Sequence, residues 1–287
     1  MPAEAVRASR WVHGCAFLLA AALLAAPWAG HVDDTDAQLY QVVARHMVED
    51  GTWTDLRYLP DVHAQFREHL PFGLWPMALA IRLGGEGWLA PLTALWSLGI
   101  LLVTAWLGRR LLGRGEALVA VLVLALCESF FRYGGRPRLD PPLVLFSLLA
   151  AAPLLLPRLR ARGWALATLA GAVAALIKGP FGVLPLLAVT AATAWEARSW
   201  RRLLAGGLAA ALALLPVAAF LARNHVAGDG SWWEGYGRHQ LLASASGARA
   251  DGALQWWFPL TTIARRFWPG FPLLLVALGL RLRAPGG

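Results

Sequence analysis

Four polar segments of the sequence contain residue types that could bind or transfer a charged group. The first, residues 31–40, directly follows a long apolar run and contains three carboxylates: Asp33, Asp34 and Asp36. A carboxylate held in such a place can act as a general base. The alternative is a solvated, acid-rich start of a helix, where the helix dipole favours negative charge.

The second segment, Glu68 to Trp75, has a charged and a titratable residue at its start, Glu68 and His69. It is either an ordinary amphipathic junction with Pro71 near a helix start, or it places a charge or proton donor at the mouth of a cavity.

The third segment, residues 136–142, contains two arginines and an aspartate followed by two prolines. Asp140 suits the start of a helix with Pro141 in the first turn, so capping is one interpretation. Arg136 and Arg138 also suit bidentate binding of a phosphate, which is the functional interpretation.

The elements that position these segments are long apolar runs. Of the 287 residues, 58% are hydrophobic and only 15% are charged, which favours packed helices in lipid over a soluble core. The sequence predicts an all-α, polytopic membrane protein forming a single domain over residues 1–287, with about eight spanning helices. The predicted crossings are 11–29, 88–107, 116–133, 141–157, two short ones within 164–195, 203–222 and 259–280.

The fourth segment is a helix break inside the run 164–195. Lys178, the only lysine, precedes Gly179 and Pro180, and this Gly-Pro pair interrupts a helix. A charge at membrane depth is costly, so Lys178 is a functional candidate.

Arginines are concentrated in alternate short loops between the predicted crossings. Because basic loops of membrane proteins usually lie in the cytoplasm, this pattern gives the orientation of the chain in the membrane. The net charge of +9 therefore indicates basic cytoplasmic loops and no nucleic-acid partner. We expect a cytoplasmic N-terminus and a location in the inner (plasma) membrane. The run 72–83 is too short to cross and is predicted to be an interfacial helix.

Two long polar segments, 30–87 and 223–258, then lie on the outer face together with all four candidate segments. Within the first, residues 30–71 are predicted to form two short amphipathic helices joined by a turn near Gly51. Loops of this length usually carry function. Carboxylates beside Arg and Lys at one face suit a substrate that carries phosphate.

In order and spacing, these segments resemble the GT-C glycosyltransferases related to protein O-mannosyltransferases and to aminoarabinose transferases of lipid A. The motif Asp36-Ala37-Gln38-Leu39-Tyr40, followed by Gly51-Thr52-Trp53, matches the family's first outer loop, with Ala37 in place of the family's Glu. Three further segments match other family motifs: His69 to Trp75 (with one Pro missing), Arg138-Leu139-Asp140 and Lys178-Gly179-Pro180.

The resemblance implies a GT-C-like helical bundle that transfers a hexosyl or pentosyl group, with inversion, from a polyprenyl-phosphate sugar donor to a lipid or protein acceptor at the periplasmic face. Asp36 would be the general base, with Asp140 and Lys178 also catalytic. The substrate-binding residues would be Tyr40, Trp53, Glu68, His69, Trp75, Arg136, Arg138 and His239.

Several alternatives stay open. No cofactor is expected, although Glu68, His69 and His239 could meet across the two outer loops to hold a divalent metal. The protein could instead be a lipid or solute transporter, or a non-catalytic subunit of a glycosylation complex. Family members are usually longer, so we expect a fragment, or a shortened relative that needs a partner in addition to membrane lipids.

Overall fold

The computed structural model describes residues 34–59, 65–156, 159–228, 230–243, 246, 258–268 and 270–283. Within these ranges all the secondary-structure elements are helices, which confirms the predicted all-α class. The α-helices are α1 (Thr35–Glu49), α2 (Trp75–Gly84), α3 (Leu89–Leu111), α4 (Arg114–Leu126), α5 (Glu128–Tyr133), α6 (Asp140–Ala151), α7 (Ala161–Lys178), α8 (Leu184–Glu196), α9 (Trp200–Val226), α10 (Phe258–Arg266) and α11 (Gly270–Arg283). Short 3-10 helices occupy Pro71–Gly73, Glu86–Trp88, Ala152–Leu155 and Gly179–Val183, and a π-helical segment occupies Trp233–Leu242.

Three helical stretches of the described residues are long and apolar enough to cross a membrane. They are Glu86–Leu111, Ala161–Glu196 and Trp200–Val226, and Asp140–Leu155 is a shorter apolar helix. The predicted crossing 11–29 and the cytoplasmic N-terminus lie outside the described residues. The number of about eight crossings therefore stays a prediction.

Small residues let the central helices approach one another closely. Ala174 of α7 and Ala213 of α9 are fully buried, and a Cβ atom added to Gly171 of α7 would lie 3.3 Å from the Ala213 methyl group. On the neighbouring hairpin, a Cβ atom at Gly108 of α3 would lie 2.9 Å from the Cα of Ala117 in α4. Close approach through Gly and Ala is typical of helices packed in lipid, where dispersion contacts replace the hydrophobic drive.

The break at Lys178-Gly179-Pro180 is confirmed. Helix α7 ends at Lys178, and Gly179 has φ +63°, a left-handed conformation that glycine adopts without strain. The 3-10 helix that follows turns the chain back, because Gly182 lies against the backbone of Ala174. Lys178 is therefore fixed at one end of the helical bundle, where α8 begins.

Helix α1 lies against α2 at the same end of the bundle. Asp34 is its N-cap, with Oδ1 accepting a hydrogen bond from the Ala37 backbone N–H at 3.3 Å. Its buried face includes Tyr40, Val43 and Met47, as the spacing of an amphipathic helix requires. The run 72–83 forms a short helix, α2, that begins at Trp75, and its interfacial position stays a prediction.

Three predictions about the elements are wrong. Residues 30–71 were predicted to form two helices, but their described part contains one α-helix, α1, because residues 52–59 and 65–70 are not helical. The predicted crossing 116–133 is divided into α4 and α5, since Cys127 has an extended backbone with ψ 132°. The predicted crossing 259–280 is likewise divided into α10 and α11.

Candidate functional site

The chemically active residue types converge at one end of the bundle, where three helices begin or end. Asp34 and Asp36 lie at the start of α1, Asp140 is the first residue of α6, and Lys178 is the last residue of α7. Arg138 lies in the short connection that leads into α6. Residues separated by more than a hundred positions in the sequence thus share one site.

Arg138 links three carboxylates. Its Nη1 donates to Asp34 Oδ1 at 3.1 Å and its Nε donates to Asp140 Oδ2 at 3.0 Å. Its Nη2 forms an ion pair with Asp36. The Asp34 side chain is 6% exposed and that of Arg138 is 16% exposed, so water screens their attraction weakly. Burial lowers the pKa of Arg138, but the three carboxylates outweigh it, and the net shift is upward.

Two further cations complete the cluster. Lys178 Nζ donates to Asp140 Oδ1 at 2.8 Å, and Arg136 Nη1 donates to Asp34 Oδ2 at 3.2 Å. The capping interpretation of Asp140 is wrong: Leu139 is the N-cap residue, without a side-chain cap, and both Asp140 oxygens bind the cations instead. Asp36 differs from the other carboxylates because its side chain is 53% exposed, within reach of an incoming substrate.

A cavity of about 520 Å³ opens beside the cluster. Arg138 and Asp140 lie at its polar end, while its remaining walls are largely apolar and include Ile100, Phe130 and Val144. Tyr133 also lines the cavity, and the Arg138 guanidinium stacks over its ring at 4.6 Å from the centroid. A cation held at the mouth of an apolar cavity suits a ligand with a charged head and an apolar chain.

Tyr40 and His69 form a buried pair next to the cluster. The Tyr40 hydroxyl and His69 Nε2 are 3.0 Å apart, and the two rings meet edge to face. Burial raises the pKa of Tyr40, and the negative charges of Asp36 and Asp140 raise it further. Tyr40 therefore stays a neutral phenol that can donate a hydrogen bond across the whole physiological pH range.

Trp53 and Trp75 contact each other. Trp75 Nε1 donates to the Trp53 carbonyl oxygen at 2.7 Å, and the rings meet edge to face. Phe72 packs against Trp75 in the same way, at 4.8 Å between ring centroids. Trp75 is 38% exposed and can therefore offer an aromatic surface to a ligand.

Glu68 and His239 are more peripheral. Glu68 is exposed, and its charge adds only weakly to the upward shift of the pKa of Tyr40. His239, in the π-helical segment, forms an ion pair with Glu234 at 3.2 Å and is 72% exposed. Within the described ranges, no three His, Cys, Asp or Glu side chains are arranged to hold a metal ion. The expected lack of a cofactor stays a prediction.

The sequence reasoning named Asp34 without assigning it to the site, and it missed Tyr133. Asp34 is the most buried carboxylate of the cluster, and the available signal was its position three residues before Ala37, as an N-cap requires. Tyr133, which stacks under Arg138, carried no signal, because aromatic residues in apolar runs are common.

The fold and the site define a class of protein: a multi-pass, all-α membrane protein of the GT-C type, with a charged site at the end of its bundle. Residues 68–222, just over half of the chain, match the family described as dolichyl-phosphate-mannose-protein mannosyltransferase. The chain belongs to this family.

Among curated proteins, the chain is similar to the undecaprenyl phosphate-alpha-4-amino-4-deoxy-L-arabinose arabinosyl transferase of Pseudomonas aeruginosa (strain LESB58). The two are 28% identical over 253 residues, which cover 85% of this chain and 45% of the relative. The corresponding protein of Pseudomonas paraeruginosa (strain DSM 24068 / PA7) is 27% identical over 248 residues, covering 82% of this chain and 44% of the relative. The chain spans about half the length of these curated relatives.

Two crystal structures of ArnT from Cupriavidus metallidurans share the fold. The apo structure has a TM-score of 0.70 and 22% identity, covering 96% of this chain and 52% of the neighbour. The structure bound to undecaprenyl phosphate has a TM-score of 0.68 and 21% identity, covering 99% of this chain and 52% of the neighbour.

Proposed function

We propose that this chain carries the catalytic site of a membrane glycosyltransferase. It would transfer a hexosyl or pentosyl group, with inversion, from a polyprenyl-phosphate donor to a lipid or protein acceptor. The site would face the periplasm, in a protein of the inner membrane with a cytoplasmic N-terminus. The observation that carries the proposal is the half-exposed Asp36, held by Arg138 at the polar end of an apolar cavity.

The donor has a charged phosphate and an apolar prenyl chain, and the site has a suitable partner for each. Its phosphate would bind Arg138 and Lys178, with Arg136 and His69 nearby, and the first prenyl units would occupy the apolar cavity beside Tyr133. The named relatives use an undecaprenyl phosphate-linked sugar, and one structural neighbour was crystallised with undecaprenyl phosphate, which supports a donor of this class.

Binding of the donor would also free the general base, Asp36, from its ion pair with Arg138. In the structure, Arg138 pairs with Asp36 as well as with two other carboxylates. A phosphate competes for the same guanidinium, so the ion pair to Asp36 weakens when the donor arrives. The freed carboxylate then becomes able to accept a proton, and the base is not available before the donor is in place.

In the transfer step, Asp36 takes the proton of the acceptor hydroxyl as that oxygen attacks the anomeric carbon. The bond from this carbon to the phosphate oxygen breaks, and its electron pair stays on the lipid phosphate. Lys178 and Arg138 stabilise the charge that develops there, and preorganised cations do this without reorganising during the reaction. Asp140 positions both cations, because one of its oxygens accepts from each.

The proposed function is tested by transfer from a radiolabelled polyprenyl-phosphate sugar in membranes that contain the full chain. Asp36→Asn should lower the rate by about 10² to 10⁴-fold, the range for a lost general base. The matched control is Asp50→Asn, at the other end of α1, where the carboxylate makes only a long ion pair to Arg57 at 3.7 Å. Full activity of Asp36→Asn would refute the mechanism.

A second measurement separates catalysis from binding. Lys178→Gln should weaken binding of the labelled donor by about tenfold or more, since a charged hydrogen bond is worth about 1.5 to 3 kcal/mol. Donor binding that depends on Lys178, without any transfer, would instead support the non-catalytic subunit. The transporter alternative gains no support from Lys178, because it lies at the end of α7 and is paired with Asp140.

A further inference from the structure

A second cavity lies at the opposite end of the bundle, at the turn between α8 and α9. Its volume is about 590 Å³, and its lining includes Trp195, Arg198, Trp200 and Leu203. Helix α8 begins beside the charged cluster and has 13 residues, so this α8–α9 pocket lies about 20 Å along the helix from that cluster. The pocket is therefore separate from the proposed active site.

The walls of the α8–α9 pocket are apolar side chains that face outward. Trp195 is 87% exposed, Trp200 66% and Leu203 51%. Ala194, which also lines the pocket, is buried at 6%. Exposed tryptophans at the ends of spanning helices are typical of the level of the lipid headgroups.

The same turn has exposed arginines that make no ion pair within the described residues. Arg198 and Arg201 are exposed, and within the described residues neither forms an ion pair. The Arg201 guanidinium lies over the Trp200 ring, 5.8 Å from its centroid. Arg202 is different, because it donates to the Leu154 carbonyl oxygen at 2.9 Å and thereby ties the turn to the bundle. The turn has one acid, the exposed Glu196, so positive charge dominates.

Arg198 also has an unusual backbone. Its φ of +47° makes it the one non-glycine residue of the described chain in the left-handed region. Gly or Asn would adopt that conformation at lower cost. Arg198 lines the pocket together with Ser199 and Trp200.

We propose that the α8–α9 pocket binds the headgroup of an anionic membrane phospholipid, with Arg198 and Arg201 on the phosphate and Trp195, Trp200 and Leu203 against the glycerol and acyl carbons. Basic pockets between spanning helices are suited to such headgroups. A phospholipid fits better than a free phosphate ion, because its glycerol and acyl carbons would cover the exposed aromatic and aliphatic side chains. A free phosphate ion would leave these side chains exposed. This site is independent of the proposed transfer reaction.

The test is native mass spectrometry of the full chain in detergent, titrated with phosphatidylglycerol and with phosphatidylcholine of the same acyl chains. The variant is Arg198→Asn/Arg201→Gln, in which Asn suits the left-handed backbone at position 198. The matched control is Arg109→Gln/Arg110→Gln, which removes two exposed arginines from the end of α3. The wild type and the control should prefer phosphatidylglycerol. The variant should bind it about 10- to 30-fold more weakly, as expected for two charges near a lipid phosphate.

Equal phosphatidylglycerol binding by the variant and the wild type would overturn the proposal, and so would an equal loss in the control. Glycerol phosphate, a soluble analogue of the headgroup, is added as a competitor. If it displaces phosphatidylglycerol at equal concentration, the site binds a free anion and the lipid proposal fails. Should the double variant not fold, Arg201→Gln alone should still lose about three- to fivefold in affinity for phosphatidylglycerol, and an unchanged affinity there would count against the proposal.

Discussion

Replacing Arg138 with Gln should destabilise the protein strongly, because one guanidinium serves three carboxylates. Asp34, at 6% exposure, would keep only Arg136 as a charged partner, and a buried charge that loses a partner costs about 3 kcal/mol at the lower end of the usual range. Asp36 and Asp140 are more exposed, so together they add about 1 kcal/mol. The total loss is about 4 kcal/mol.

Thermal unfolding in detergent measures this loss. At about 2 to 4 °C per kcal/mol, Arg138→Gln should lower Tm by about 8 to 16 °C. The control is Arg132→Gln, whose ion pair to Glu128 is 3.8 Å long and half-exposed, and which should cost less than about 1 kcal/mol. A Tm change for Arg138→Gln no larger than that of the control would refute the reasoning.

A double-mutant cycle identifies the cause. Asp34→Asn keeps the N-cap, since Asn caps as well as Asp, but removes the buried charge. Arg138→Gln should then cost about 2 kcal/mol less in the Asp34→Asn background than in the wild type, because no buried carboxylate is left with too few partners. Additive effects of the two substitutions would show that the loss comes from another contact of Arg138.

Two further predictions concern packing and titration. Gly182→Ala should destabilise the protein by about 2 to 4 kcal/mol in the same unfolding assay, since a Cβ would overlap the Ala174 carbonyl. Gly207→Ala, where the space is open, should instead stabilise α9 by about 0.5 to 1 kcal/mol. Because its folded-state pKa is raised, Tyr40 should stay protonated as pH rises through 10, so Tyr40→Phe should remove no phenolate absorbance from the folded protein between about pH 9 and 11. The same substitution should cost about 1 kcal/mol through the lost contact with His69, and a phenolate signal that disappears in Tyr40→Phe would contradict the assigned environment.

The sequence predicted the features that depend on residue type. Gly179 and Pro180 after Lys178 favour the end of a helix, and the structure breaks there. The length of the run 72–83 was enough to exclude a crossing, and α2 is indeed short. These predictions succeeded because a backbone or length constraint left a single outcome.

Other features depend on tertiary contacts that residue type does not report. The run 116–133 is apolar from Ala117 to Cys127 and polar residues follow at Glu128 and Ser129, but residue type does not report that the backbone becomes extended at Cys127 and separates two helices there. Asp34 and Asp36 are likewise equivalent as residue types. The structure alone shows that Asp34 is buried between two arginines while Asp36 remains half-exposed.

The balance of charge in the cluster explains how such a site can exist before a substrate arrives. Three cations at one position would repel one another, and the cost would rise with burial. Here three carboxylates neutralise them, each through a direct ion pair. A phosphate that binds Arg138 would compete with these carboxylates, and the one displaced most easily would be the most exposed, Asp36. The residue that gives way to the donor is thus the residue that the proposed chemistry needs next.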